Sequence, residues 1–223
     1  MLNPCACRQA LSVHGETIRW FRASPCDCRD PRDPDFGDHR GCEKCEHGYV
    51  YTEQVIPTGA RAMVTMVRRE QIHPDLGFIA RGDLMCVTMP DEIPLGNWDK
   101  IVLLERTIPA KEIVTKGEDV LRHTYPSSVT MVSAGEVMFT RWTPGDGEDE
   151  PAAGDWSFDV ATGTITWHED GASPEEGAVY AVEYLFHPVF WYDGSAITVP
   201  RPVADIGFLP QSGRLSLKHP SEV

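Results

Sequence analysis

Cys26-Asp-Cys28 and Cys42-Glu-Lys-Cys45 are the residues of this chain whose types and spacing promise a definite chemistry. They bracket a polar loop of Asp, Pro, Gly and Arg in which Phe36 is the one large apolar residue. Such a segment has little to bury and does not order on hydrophobic burial alone. Four thiolates around one Zn²⁺ supply the missing free energy, because structural zinc sites take Cys₄ sets and couple metal binding to folding. Glu46-His47-Gly48-Tyr49 follows the second pair. A glycine at that place suits a knuckle in which backbone N–H groups turn toward sulfur and left-handed backbone angles are needed. The expected ligands are therefore Cys26, Cys28, Cys42 and Cys45, closing a structural Zn²⁺ site.

A third pair, Cys5-Ala-Cys7, lies upstream. Three roles stay open for it: replacing Cys26 and Cys28 in the first site, binding a second ion with His14, His39 or His47, or serving as plain thiols. Cys86 sits alone in an apolar run and reads as a buried small hydrophobe. The chain holds seven cysteines and shows no export signal at its N-terminus. Close cysteine spacings in a reducing compartment read as metal ligands rather than a disulfide framework, which implies synthesis in the cytoplasm.

The search for catalytic groups gives less. The eight histidines are scattered, and no helical metal motif, P-loop, dinucleotide fingerprint or nucleophile elbow is present. The carboxylates of Asp83, Asp99 and Asp193 stand near apparent turns and read as turn caps. His123, His168 and His187 read as structural histidines in or beside strands. Four thiolates leave no open position for catalytic metal chemistry, so a non-enzymatic role is expected.

The elements that position these residues are mainly strands. From Tyr49 onward the sequence alternates and is rich in β-branched and aromatic residues, with Gly and Pro punctuating the runs. A hairpin is expected around Gly163. The long run from Ala178 to Tyr192 alternates with Tyr180, Val182 and Tyr184 on one face, and Pro188 interrupts it. Glu118 to His123 is the only stretch expected to be helical. The fold class is thus mainly β, a small zinc-ribbon-like N-terminal module joined to a β-barrel or β-sandwich body. Its expected parts are residues 1–50, the ribbon; 51–142, a barrel-like domain; 143–194, an acidic loop with a hairpin and strand unit; and 195–223, an extended C-terminal arm.

Length and composition, at 223 residues with 41% hydrophobic content, fit one large or two small folded domains. The formal net charge is −14, from 34 acidic against 20 basic residues. That balance excludes a dedicated nucleic-acid binder, which needs a basic face. No run reaches the length of a membrane span.

The arrangement from Cys26 to Tyr49 resembles zinc-ribbon segments that precede a β-barrel in structural proteins of tailed bacteriophages. Gly163–Trp167 with Pro174–Tyr184 resembles a strand–turn–strand unit of virion neck, tail and baseplate proteins. Arg81–Thr88 and Gly96–Ile101 resemble the short barrel of head-completion (connector or stopper) proteins. The resemblance implies a homo-oligomeric ring at the head–tail junction, touching a portal or adaptor ring on one side and a tail terminator or tail tube on the other. Such a ring retains packaged DNA without reading its sequence. A tail or baseplate protein is the alternative within that group. A free zinc-ribbon adaptor or metal-dependent enzyme is the alternative outside it.

Overall fold

The computed structural model describes residues 4–28, 42–57, 59–66, 71–73, 77–79, 84–143, 153–193, 202–203, 207–208 and 210–216. Among the described residues there is one helix, α1 (Pro4–His14). The strands follow as β1 (Glu16–Pro25), β2 (Tyr49–Gln54), β3 (Ala60–Met66), β4 (Gln71–His73), β5 (Gly77–Ile79), β6 (Leu84–Thr88), β7 (Lys100–Leu103), β8 (Ile108–Thr115) and β9 (Pro126–Ala134). Then come β10 (Val137–Phe139), β11 (Trp156–Asp159), β12 (Thr164–Trp167), β13 (Val179–Phe186), β14 (Val189–Asp193), β15 (Pro202–Val203), β16 (Gly207–Phe208) and β17 (Gln211–Ser216). The fold is mainly β, as expected, and contains a closed barrel of six strands.

Packing divides the chain into two compact units, Met1–Glu105 with Val189–Val223, and Arg106–Pro188. These do not follow the divisions expected at 50/51, 142/143 and 194/195. Strands on both sides of the cysteine loop belong to one sheet, and so does β17 from the stretch expected to be an arm. Its alternation is the reason: Gln211, Gly213 and Leu215 face inward and are buried.

In the first unit the antiparallel order is β1-β3-β6-β17-β14-β7, and β7 returns to pair with β1. On its other edge β1 carries β2 along Trp20–Pro25 and β3 along Glu16–Ile18, so these two strands lie end to end. Inward residues alternate along each strand: Ala60, Ala62 and Val64 on β3, Leu84, Cys86 and Thr88 on β6, Phe190 and Tyr192 on β14. Cys86 is fully buried in this core, and burial pushes its thiol up to about 12. Gly213 lies opposite Cys86. A Cβ there would meet the Tyr192 ring at 2.4 Å, so only glycine leaves room for that side chain. The loop from Met89 to Asp99 folds over one end, burying Met89, Ile93 and Leu95. Thr88 Oγ1 donates to the Ile93 carbonyl at 3.1 Å, and Gln211 Nε2 donates to that of Leu95.

The helix was not the expected one. Glu118–His123 is irregular because Leu121 is buried among the second unit's apolar residues while its N–H bonds the Gly163 carbonyl at 2.9 Å. In α1, proline suits the first helical position and Leu11 is the buried anchor. Gly15 ends it: a Cβ there would lie 2.3 Å from the Leu11 carbonyl oxygen.

The second unit is an antiparallel sheet, β10-β9-β13-β8, with the hairpin β11-β12 around Gly163. Tyr180, Val182 and Tyr184 face its core, as the alternation predicts. Asp119 accepts hydrogen bonds from Tyr180 Oη at 2.6 Å and Trp167 Nε1 at 3.2 Å. The chain enters and leaves at one place, since His187 Nδ1 lies 3.0 Å from the Arg106 carbonyl oxygen. β4-β5 and β15-β16 are short two-stranded ladders.

Candidate metal centre

Cys26 directly follows β1, and Cys42 and Cys45 lead into β2. The four cysteines therefore lie at the Pro25–Tyr49 end of the β1–β2 pairing, and both strands are part of the barrel sheet. The backbone closes this end with Cys26 N–H donating to the Gly48 carbonyl at 2.9 Å, and Glu46 and Tyr49 exchange hydrogen bonds at 2.9 and 3.0 Å.

The four thiols expected as ligands are brought together. Cys26 Sγ lies 3.9 Å from Cys42 Sγ, and Cys28 Sγ lies 3.5 Å from Cys45 Sγ. All four sulfurs fall within 4.8 Å of one another, a group that could hold a metal ion. A tetrahedral ion with metal–sulfur bonds of about 2.3 Å has sulfur–sulfur edges of about 3.8 Å, and the cluster has that size. Cys5 and Cys7 lie on α1 and are not in the group, nor is His47, whose ring meets Trp191 edge-on at 6.2 Å. His39 lies outside the described residues.

The knuckle aims N–H groups at sulfur. The Lys44 N–H bonds Cys42 and brings its thiol down to about 7. The Gly48 N–H bonds Cys45, although burial dominates there and raises that thiol. Cys28 is raised by hydrogen bonding with Cys26. His47 and Gly48 both hold positive φ, 51° and 80°. Glycine was anticipated at this bend, and the histidine beside it shares the left-handed turn. A cleft of about 510 Å³ is lined by Cys26, Cys28 and Cys42, with Pro25, Asp27, Glu43, Lys44 and Val50 in its walls.

Residues that sequence reasoning passed over fasten this end to the barrel. Lys100, at the start of β7, pairs with Glu46 at 2.6 Å while its ammonium lies over the Tyr51 ring at 4.3 Å. Tyr49 stacks on Trp98 at 6.0 Å. Trp98 holds φ 73°, an uncommon conformation for a large residue. Asp99 caps its turn as expected, taking the Gly96 N–H at 2.8 Å, but it does more. It also accepts from Trp20 Nε1 at 2.7 Å and from the Ala23 N–H at 2.9 Å, tying β1 just before Cys26. Burial raises its carboxyl against the pull of these donors. The Trp-Asp pair at a turn was the available signal; the long-range partners leave none in a single sequence.

The remaining candidates are placed elsewhere. Asp193 is the last residue of β14 and pairs with Arg214 of β17 at 2.7 Å; the residues that follow it lie outside the described ones. Asp83 lies outside the described residues. His123 stacks on Phe186 at 3.8 Å and His168 on Trp142 at 4.8 Å. Among the described residues no helix is long and apolar enough to cross a membrane. No protein-family model matches the chain, and no curated protein matches it.

Proposed function

We propose that the chain is a structural virion protein of a tailed bacteriophage, forming a ring at the head–tail junction, with Zn²⁺ closing the four-cysteine site. The observation that carries the reading is the closed six-stranded barrel with one end fastened by four converging thiols. Its connection from β7 to β14 carries a second β unit. A closed barrel whose connection carries a second folded unit suits repeated packing against copies of itself and adjoining rings. Four thiolates fill the coordination of Zn²⁺ without leaving a position for substrate, which favours a structural over a catalytic ion. Buried Asp99 and the partly buried Asp119 and Asp155 are each engaged in fold-defining hydrogen bonds. The net charge of −14 discourages adhesion to a passing genome.

The test is to purify particles from a producing culture, identify their proteins by mass spectrometry, and label this chain with immunogold. One gold position at the neck is expected, with the protein retained beside the portal or adaptor ring and the tail terminator or tail tube. Gold at the distal tail would instead assign it to the tail or baseplate. Absence from purified particles would overturn the virion reading.

A further inference from the structure

Cys26 and Cys28 sit on the arm that continues β1, and Cys42 and Cys45 on the arm that enters β2. Two sulfur contacts run between the arms, at 3.9 Å for Cys26–Cys42 and 3.5 Å for Cys28–Cys45. A disulfide holds its sulfurs at about 2.0 Å, so each pair needs a closing of roughly 1.5–2 Å, within the sweep of side-chain rotation. Cys28 is exposed, Cys42 and Cys45 are half-buried, and the cleft admits a small oxidant.

We infer that the four cysteines form a convertible clamp, which on exposure to hydrogen peroxide closes as two cross-arm disulfides, Cys26–Cys42 and Cys28–Cys45. The inference rests on the metal-centre reading, and the metal form is its reduced state. In each pair one thiolate attacks the peroxide O–O bond, giving a sulfenic acid and hydroxide. The second thiolate attacks that sulfur, forms the S–S bond and expels a second hydroxide. Two protons turn the hydroxides into water. Each disulfide thus consumes one peroxide, the thiol pair losing two electrons and the peroxide gaining them. Completion uses two peroxides and releases the ion, whose anionic ligands are gone. Pairing within an arm, Cys26–Cys28 or Cys42–Cys45, would consume the same thiols and join nothing. The cross-arm pairs hold the β1 and β2 ends as the ion did, so the barrel end stays shut when metal is lost in oxidising surroundings.

The test uses the full-length protein, its metal content measured first. The sample is treated with EDTA and hydrogen peroxide, blocked with iodoacetamide, and digested with trypsin and an Asp-directed protease. Cleavage after Lys44 parts Cys42 from Cys45, and cleavage before Asp27 parts Cys26 from Cys28. Linked peptides joining Cys26 to Cys42 and Cys28 to Cys45 are expected. Free thiols, within-arm links, intermolecular links or any other pairing overturn the inference. A melting curve supplies the second readout. The oxidised, metal-free protein should melt near the metal-loaded form and well above the reduced, metal-free form, and dithiothreitol should abolish the difference from the latter. An oxidised form that melts with the reduced, metal-free form also overturns it. A starting sample without metal would instead refute the metal-centre reading. Neither readout depends on where the protein sits in a particle.

Discussion

Replacing Asp99 by alanine should weaken the barrel at the end that holds the cysteines. The carboxylate is 1% exposed and receives three donors: Trp20 Nε1, the Ala23 N–H and the Gly96 N–H. Trp20 is itself buried. Its indole N–H, left unpaired, costs about 1–3 kcal/mol, while the two partly buried amides, which water can reach, lose about 1 kcal/mol each. Removing a buried charge returns part of this. A net loss of about 3 kcal/mol is expected, a sizeable share of the 5–15 kcal/mol typical of a folded domain. Asp99→Asn keeps one acceptor oxygen and should lose less than half as much. Urea unfolding of the metal-loaded protein followed by tryptophan fluorescence measures both. In the Trp20→Phe/Asp99→Ala double variant the losses should fall short of additive by about 1 kcal/mol, because the shared bond is removed once. Chelator competition should also show weaker metal retention in Asp99→Ala, since Ala23 stands three residues before Cys26. The reasoning fails if Asp99→Ala stays within about 0.5 kcal/mol of wild type, the range of a neutral surface change, or if asparagine is as damaging as alanine.

Elemental analysis should find one zinc per chain, lost in Cys42→Ser/Cys45→Ser. Since β1 is a barrel strand and β2 pairs along it, that variant should lower the melting temperature of the first unit rather than release a separate ribbon. Gly213→Ala should cost about 1–3 kcal/mol by overpacking; adding Tyr192→Phe should not relieve it, because the ring carbons 2.4 and 2.5 Å from the new methyl remain. Asp155 is held below the usual carboxylate range, chiefly by the Thr140 N–H at 2.6 Å. A depressed folded value gives stability that is present above the unfolded value of about 3.9 and lost as pH falls through the folded one. Asp155→Asn should therefore flatten the acid limb of the second unit's stability curve.

The cysteine cluster was legible because its ligands are close in sequence and their chemistry is specific. The faces of β13 were legible because burial on one side imposes a period of two. The division into units was not. Polar composition made the cysteine loop look like a detachable piece, yet the strands that anchor it pair with residues distant in sequence. Gln211–Ser216 looked like a loose tail because its apolar content is low, and two of its inward positions, Gln211 and Gly213, carry no apolar side chain. Gln211 instead bonds a loop carbonyl, and Gly213 yields its space to Tyr192. Pairing partners and negative space are properties of the assembled sheet. The expected helix at Glu118–His123 failed for a similar reason, with Leu121 drawn to a core built from strands on either side of it in sequence.

The link between Arg106 and His187 bears on the order in which the chain acquires structure. Every pairing of the second unit's sheet lies between residues 108 and 186, whereas the barrel closes only when β17 joins β6 and β14. During synthesis the second unit can fold while the barrel still lacks its last strand. Once folded, its joined ends turn a long excursion into a short one, bringing β7 and β14 together at little further loop-closure entropy. Pulse-labelled hydrogen exchange during refolding should show β13 amides protected before those of β1; the reverse order would mean that the barrel recruits its insertion. On this route the inserted unit is a folding clamp for the barrel that surrounds it in sequence.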